Sequence, residues 1–380
     1  MRLHLVSLPH TETTDAHLTC AYTQKVVKFS KMMTGLGYEV VIYGGEENDA
    51  ECFEHVPIVS RREQVKWFGE HDFNRLYPDI WDPTSDWWRL TNKRAVKAIR
   101  EHRADHHDLV LLTGGCCQEL IAMRLKDMTS CEPFVGYKGI FSRFRAFESV
   151  AWRHWVYGDK RWDDGAWYDV VIPPFVDADD FVAPPVSKRG DYLLFLGRIC
   201  FRKGPDIASE IAEAAGRRLI IAGNGGEVWE GRIHSLEGNN LTDISIGPHA
   251  EFYGPADKAA RRQLMSEARA LIMPTRFIEP GGNVAIEAMM SGTPVIAPDW
   301  GVFTETVVPG YTGERFMRLP EAVEAIDTVA SLRPAVVRKY AVERWSLEAI
   351  GKRYDRWFRQ LNGVWGGDYG AAFGGDWYGR

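Results

Sequence analysis

The sequence predicts an α/β protein made of two doubly wound domains in tandem. The chain has 380 residues, which is too long for one average domain and suits two. Short aliphatic strands alternate with helical segments in both halves. Between the halves, residues 182–190 read VAPPVSKRG, and such a Pro-rich stretch is typical of an interdomain linker. We therefore predict domains over residues 1–182 and 190–346, followed by a helix and tail over 347–380.

In the first half, apolar residues recur with strand and helix periods in turn. The predicted strands are residues 1–7, 39–43, 109–113, 133–137 and 168–173. The predicted helices are residues 22–36, 93–102 and 142–156. Residues 64–88 are rich in Trp, Phe and Asp, and an irregular insertion is expected there. Because strand, helix and strand follow one another from the start, the sheet is predicted to be parallel.

In the second half, the same alternation restarts after the linker. The predicted strands are residues 192–196, 218–222, 268–273 and 294–297, and the predicted helices are 205–215, 283–290 and 347–361. A tail rich in glycine and aromatic residues follows, over 363–380. Its aliphatic content is too low for a core of its own.

Charge and cysteine content exclude some classes of function. The formal net charge is −6, which disfavours a nucleic-acid binder without excluding a local basic cleft. The six cysteines show no paired CxxC spacing, so no structural zinc site is expected. No apolar run reaches the roughly 18 residues of a membrane span, and no secretory signal is recognised. A cytoplasmic protein with reduced thiols is predicted.

The first informative loop lies in FLGRICFRKGP, residues 195–205. A strand ends at Gly197 and a helix begins near Gly204, so the loop stands at the carboxyl end of a parallel strand, where open α/β sheets bind ligands. Arg198 and Lys203 flank the turn, and a guanidinium with an ammonium suits a diphosphate. The alternative is a solvated basic loop.

The second loop lies in MPTRFIEPGGNVAIEAM, residues 273–289. Gly281 and Gly282 precede a helix that begins at Asn283, and glycine amides with a helix N-terminus form an anion site. Glu279 stands before this helix and Glu287 inside it. Alternatively, the two acids are a helix-start carboxylate and a solvated residue, but this leaves the Gly-Gly-Asn between them unexplained.

Together these motifs resemble the retaining GT-B glycosyltransferases of the family 4 type (glycosyl transferases group 1), which include sucrose and glycogen synthases. The matching motifs are GR-x4-KG at 197–204, E-x7-E at 279–287, IIAGNG at 220–225, EFYGPA at 251–256 and EAMMSGTPVIAPDWGVFTETVVPGYTG at 287–313. The resemblance implies two Rossmann-like domains facing across a cleft, with the donor in the second half. It also implies that the final helix crosses back to the first domain.

The resemblance also implies residue roles. Arg198 and Lys203 would hold the donor diphosphate and stabilise the leaving nucleotide, and Glu279 would bind hydroxyls of the donor sugar. These three are the expected catalytic residues. Further donor-binding residues would be Gly197, Gly223, Tyr253, Gly254, Gly281, Gly282, Asn283 and Glu287, the last through the ribose hydroxyls. Family members often carry an aromatic or aliphatic residue at the position of Gly281, and an N-domain histidine that the comparable positions here, 113–116 or 136–138, do not hold.

The expected reaction moves a hexose from a UDP- or GDP-sugar to a hydroxyl acceptor, a saccharide or small metabolite, with retention of configuration. The candidate acceptor-site residues are His10, Thr13, Gly114, Gly115 and Lys138. His10 is alternatively a solvated loop residue. Neither His10 nor Glu12 is supported as a general base by a paired acid, which favours retention.

Other functions stay open at this point. Acceptors of other kinds include a hydroxymethylated DNA base, and a sugar-nucleotide epimerase or a donor-binding scaffold without turnover fits the same motifs. No cofactor or metal is expected. Asp177-Ala-Asp179 has the form of a metal-binding DxD motif, but its place before the linker favours a surface turn.

Overall fold

The computed structural model describes residues 1–17, 20–70, 80–166, 168–185, 189–229, 232–235 and 242–366. It contains two parallel sheets, one in each half of the chain, and a small antiparallel sheet of three strands in the second half. The predicted fold class, two Rossmann-like α/β domains, is confirmed.

The first sheet has seven parallel strands in the order β3-β2-β1-β4-β5-β6-β7. Their bounds are β1 Arg2–Val6, β2 Glu39–Gly44, β3 Glu54–Pro57, β4 Leu109–Leu112, β5 Thr129–Val135, β6 Phe144–Phe147 and β7 Val170–Val171. The strand order reverses between β1 and β4. In doubly wound sheets a crevice forms at the carboxyl ends of the strands at this point.

Helices cover both faces of this sheet. They are α1 Ala21–Gly35, α2 Arg61–Phe68, α3 Asp86–His102, α4 Glu119–Arg124 and α5 Val150–Lys160. Along β4, Leu109 and Leu111 pack into one hydrophobic core and Val110 and Leu112 into another. Because successive side chains alternate between faces, both faces of the strand are buried, which explains its unbroken apolar run.

The second half repeats the architecture. Its strands are β8 Tyr192–Leu196, β9 Arg218–Ala222, β10 Gly226–Trp229, β11 Arg232–Ser235, β12 Thr242–Ile244, β13 Ala250–Gly254, β14 Ala270–Ile272, β15 Val295–Pro298 and β16 Gly313–Phe316. Its helices are α6 Pro205–Ala214, α7 Lys258–Glu267, α8 Asn283–Met290, α9 Phe303–Thr306, α10 Leu319–Ala330, α11 Pro334–Trp345 and α12 Leu347–Gly366. The parallel sheet runs β13-β9-β8-β14-β15-β16, and its order reverses between β8 and β14.

Helix α12 packs against the first half of the chain. The Tyr354 ring meets Phe29 edge-on, with centroids 5.1 Å apart, and its hydroxyl donates to the Pro133 carbonyl at 2.7 Å. The Tyr38 hydroxyl donates to Asp355 at 2.7 Å. The final helix therefore completes the core that the first sheet builds with α1.

Two sequence-based predictions were wrong. Residues 142–156 are not one helix, because β6 occupies Phe144–Phe147 and α5 begins only at Val150, where Ser149 accepts from the Trp152 amide at 3.0 Å. Strand β6 is buried throughout, so it shows no alternation that would distinguish it from a helix. The expected irregular insertion at 64–88 contains the end of α2 and the start of α3, while residues 71–79 lie outside the described residues.

Other expectations fall partly outside the described chain. Residues 186–188 of the predicted linker and residues 367–380 of the predicted tail lie outside the described residues.

The six cysteines form no disulfide. In the described part of the chain, no helix combines the length and the apolar character that crossing a bilayer demands.

Candidate functional site

The glycines of the second half bring three strand ends into contact. At Gly204, φ is +74°, and a Cβ there would lie 2.3 Å from the Pro274 carbonyl oxygen just beyond β14. At Gly223, beyond β9, φ is +152°, and a Cβ would lie 1.7 Å from the Gly197 carbonyl oxygen. Only glycine fits these close approaches. The loops after β8, β9 and β14 are therefore packed together at the switch point.

Lys203 and Glu279 form an ion pair at this place. The side chains are 25% and 7% exposed, so the carboxylate is buried and the ammonium partly open to solvent. The Lys203 ammonium also lies 5.0 Å from the centre of the Phe277 ring. Two residues that the motifs placed at the donor site, 76 positions apart in the sequence, are thus in direct contact.

Arg276 ties together the two loops that carry this pair. Its amide donates to the Arg202 carbonyl at 2.8 Å, and its guanidinium binds both oxygens of Asp206 at 2.8 and 2.5 Å. Arg276 has no role in the sequence-based predictions. A basic residue three positions before Glu279 was the available signal. Arg198 is an exposed residue two positions after the end of β8.

The loop before α8 has the geometry of a helix-start anion site. Gly282 has φ of +63° and stands immediately before Asn283, the first residue of the helix. Glu287, within the helix, binds Arg261 of α7 at 2.5 Å, and its side chain is 12% exposed. The alternative interpretation of Glu287 as a solvated helix residue is therefore excluded.

Gly254 and Tyr253 lie at the end of β13, on the edge of the second sheet. The Gly223 amide donates to the Gly254 carbonyl at 2.8 Å, so the loop after β9 contacts this strand end. Tyr253 is 48% exposed, whereas Gly254 is buried.

The candidate acceptor residues lie in loops of the first half. His10 follows β1 and is 1% exposed, and burial lowers its pKa to about 3. It is an enclosed, neutral histidine rather than a solvated one. Thr13, in the same loop, is buried, and its hydroxyl donates to the Ser7 hydroxyl at 3.4 Å.

The other candidate acceptor residues follow β4 and β5. The Gly114 amide donates to the Gln118 side chain at 2.8 Å, and Gly115, with φ of +56°, packs against the Gly139 carbonyl. Lys138 turns toward α5 instead. Its ammonium lies 4.3 Å from the Trp155 ring centre and 3.5 Å from Asp159. The loops after β4 and β5 therefore adjoin, with Lys138 on their outer side.

The two halves contact one another around the cleft. The Glu305 carboxylate accepts from the Val150 and Ala151 amides at 2.9 and 2.8 Å, at the start of α5. On another side, Lys258 binds Asp15 and Asp180. These contacts bring the carboxyl edges of the two sheets face to face.

Two acidic motifs lie apart from the loops that carry Lys203 and Glu279. Asp177 accepts from Lys31 at 2.6 Å and from the Asp179 amide at 3.1 Å, within a short turn. Among the described residues, Asp105, His106 and His107 form one group with potential metal-ligating atoms. That group precedes β4 and so lies at the edge of the sheet opposite the cleft.

Residues 177–333 match the family model "Glycosyl transferases group 1". D-inositol 3-phosphate glycosyltransferase of Jonesia denitrificans is 33% identical over 166 residues, 38% of each chain. Phosphatidyl-myo-inositol mannosyltransferase of Mycobacterium leprae is 30% identical over 196 residues, 49% of this chain and 50% of that protein. Granule-bound starch synthase 1 of Triticum aestivum is 26% identical over 166 residues, 43% and 26% respectively. The matches span a quarter to a half of these relatives.

Solved structures match nearly the whole chain. AviGT4, a glycosyltransferase involved in avilamycin A biosynthesis, has a TM-score of 0.65 at 23% identity and covers 95% of this chain and 97% of its own. Sucrose-phosphate synthase from Thermosynechococcus elongatus has a TM-score of 0.67 at 17% identity, covering 95% and 98%. At these identities the likeness shows the fold. Residues 177–333 thus match the glycosyl transferases group 1 model, and the fold of the chain is that of the two-domain GT-B glycosyltransferases.

Proposed function

We propose that this protein is a retaining glycosyltransferase, which moves a hexose from a nucleotide diphosphate sugar to a hydroxyl acceptor. The observation that carries the proposal is the Lys203–Glu279 pair, which stands beside the start of α8 at the switch point of the second sheet. Open α/β sheets bind ligands at such points. The pair also lies in the segment that matches the family model.

The donor diphosphate lies, in this proposal, between Lys203, Arg198 and the amides before α8. The two side chains are cations and the amides carry partial positive charge, so together they stabilise the negative charge that builds on the departing phosphate oxygen. Glu279 accepts hydrogen bonds from sugar hydroxyls and keeps Lys203 in place. Because Glu279 is buried and paired, it positions the sugar rather than attacking it.

Retention follows from a front-face reaction. The bond from the anomeric carbon to the phosphate oxygen breaks as the bond to the acceptor oxygen forms on the same face. The acceptor proton passes to the departing phosphate oxygen, so no protein base is needed. An inverting enzyme requires such a base. His10 suits that role poorly, because burial lowers its pKa to about 3. The Glu12 carboxylate already accepts a hydrogen bond from the Glu47 amide, at 2.8 Å.

The nucleotide is proposed to contact the end of β13 and Glu287, which Arg261 holds for the ribose hydroxyls. One similar structure, HepE from Anabaena, was solved with UDP and glucose, which makes UDP-sugars the first donors to test and GDP-sugars the second. Two relatives are named for inositol-containing acceptors and a third for starch. We propose a saccharide or a small polyol metabolite as the acceptor. A DNA acceptor is disfavoured by the net charge of −6.

The test begins with thermal shifts induced by UDP, GDP, UDP-glucose and GDP-mannose. Acceptor mixtures are then incubated with the best donor and searched by mass spectrometry for a mass increase of one hexose. Proton NMR of the product of an α-linked donor should show an α-linkage, and a β-linkage would refute retention. Conversion of the donor alone into an isomeric sugar nucleotide would identify an epimerase instead.

A further inference from the structure

Glu148 places a buried carboxylate at the carboxyl edge of the first sheet. It directly follows β6, and its amide donates to the Val135 carbonyl at 3.3 Å. Its side chain pairs with Lys25 of α1, and the two residues are 5% and 7% exposed. The strand end therefore carries a carboxylate that is paired with a lysine ammonium.

This carboxylate faces the donor loop of the other half. A Cβ built on Gly281 would lie 2.4 Å from Glu148 Oε2, and one built on Gly136 would lie 2.7 Å from Oε1. Pro174 fills the rest of the space at Gly281, with Cγ 2.3 Å from the same Cβ position. Glu148 thus occupies the volume that a side chain at position 281 would need. Position 281 is two residues after Glu279.

A structural role alone does not account for this pair. Burying two charges costs desolvation that their attraction only partly offsets, so a buried ion pair is weak evidence for a stability role. A carboxylate also has about four acceptor positions, and Lys25 binds at Oε1. Acceptor capacity is left on Oε2, the oxygen directed at the Gly281 loop.

The carboxylate of Glu148 can contact only some parts of the donor. A carboxylate repels a diphosphate but accepts hydrogen bonds from neutral hydroxyls. In the proposed donor site, Lys203 and the start of α8 supply the positive groups for the phosphates. The group next to Glu148 should therefore be the hexose.

We propose that Glu148 is a sugar-binding residue that determines donor specificity, and that Lys25 positions it. Glu148 accepts hydrogen bonds from hydroxyls of a neutral hexose, as Glu279 does from the second half, and its charge excludes sugars that bear a carboxylate. This inference rests on the proposed glycosyltransferase function. It assigns to the first half a direct contact with the donor sugar.

The experiment compares binding of nucleotide and nucleotide sugar in wild type and Glu148→Gln. Calorimetry would use UDP, UDP-glucose and UDP-glucuronate, with GDP, GDP-mannose and GDP-mannuronate in parallel. We expect affinity for the nucleotide alone to change less than about twofold, since that contact lies in the second half. Affinity for the neutral nucleotide sugar should fall about tenfold or more, the cost of a lost charge-assisted hydrogen bond. Discrimination against the uronate should fall by a similar factor, since the repelling charge is gone.

Glu305→Gln is the matched control, because it weakens another carboxylate contact between the halves, to the start of α5. Thermal melts establish that both variants fold. Equal losses for nucleotide and nucleotide sugar in Glu148→Gln, as in the control, would mean a contact between the halves only and would overturn the proposal. So would unchanged selectivity for the neutral sugar. A wild-type protein that binds no nucleotide sugar overturns the proposed function itself, and this assignment with it.

Discussion

Replacing Lys203 by alanine should separate the catalytic role of its charge from its structural role. The loss of one charge-assisted contact to the departing diphosphate costs about 2–4 kcal/mol of transition-state stabilisation. At about 1.4 kcal/mol per tenfold change, kcat/KM should fall roughly 30- to 1000-fold. The same change leaves the buried Glu279 carboxylate without its cation. Because the Lys203 side chain is 25% exposed, this stability loss should be smaller than the about 3–5 kcal/mol of a fully buried pair.

The double variant Lys203→Met/Glu279→Gln tests this division. It removes both charges and should recover most of the lost melting temperature, while kcat/KM stays low. Lys352→Ala is the control, since Lys352 pairs with Glu348 at 2.8 Å with side chains 68% and 82% exposed, and such exposed pairs contribute little. A folded Lys203→Ala protein with the kcat/KM of the wild type would refute the diphosphate assignment. Recovered activity in the double variant would do so too.

Three further changes have defined outcomes. Gly281→Ala places a methyl group 2.3 Å from Pro174 Cγ, so the Gly281 loop must shift away from Pro174 and KM for the nucleotide sugar should rise about tenfold in steady-state assays. Burial raises the pKa of Glu132 from its ordinary value near 4.5 to about 7, so the folded protein holds one more proton between these values and its unfolding free energy should fall as pH rises across that window. In Glu132→Gln, denaturant unfolding should show a shallower decline. Tyr354→Phe removes the hydrogen bond to the Pro133 carbonyl and should cost about 1 kcal/mol of stability or somewhat more, measured by urea unfolding.

Two controls accompany these variants. Gly35→Ala adds a methyl group that, apart from its chain neighbours and the backbone of its own helix, has no atom within 4 Å, so KM should not change. Tyr311→Phe alters a tyrosine that is 45% exposed, and the unfolding free energy should stay within experimental error. An unchanged KM in Gly281→Ala, or an equal pH slope in wild type and Glu132→Gln, would contradict the corresponding argument.

The two loops proposed to bind the donor were predictable because their determinants are local in sequence. The glycines at 204 and 282 each follow the end of a strand by ten residues or fewer and directly precede a helix, and β8, β9 and α8 have the predicted bounds. The contacts of Arg276 with Asp206, and of Glu148 with the Gly281 loop, join segments distant in sequence. Hydrophobic periodicity depends on neighbouring residues, so it does not predict contacts between distant segments. Strand β6 was missed for a related reason, since its Arg145 is buried against Asp169, an acid 24 positions away.

Helix α12 has a consequence for how the protein is made. Asp355 of this helix is 317 residues away from Tyr38, its hydrogen-bond partner in the first half. The ribosome has therefore almost completed the described chain before α12 can pack on the first sheet. Until then the apolar surface around Phe29 and Phe134, which Tyr354 later covers, is open to water. Nascent first halves should therefore be prone to aggregation and depend on chaperones, and the two halves should reach their native state as one unit rather than in succession.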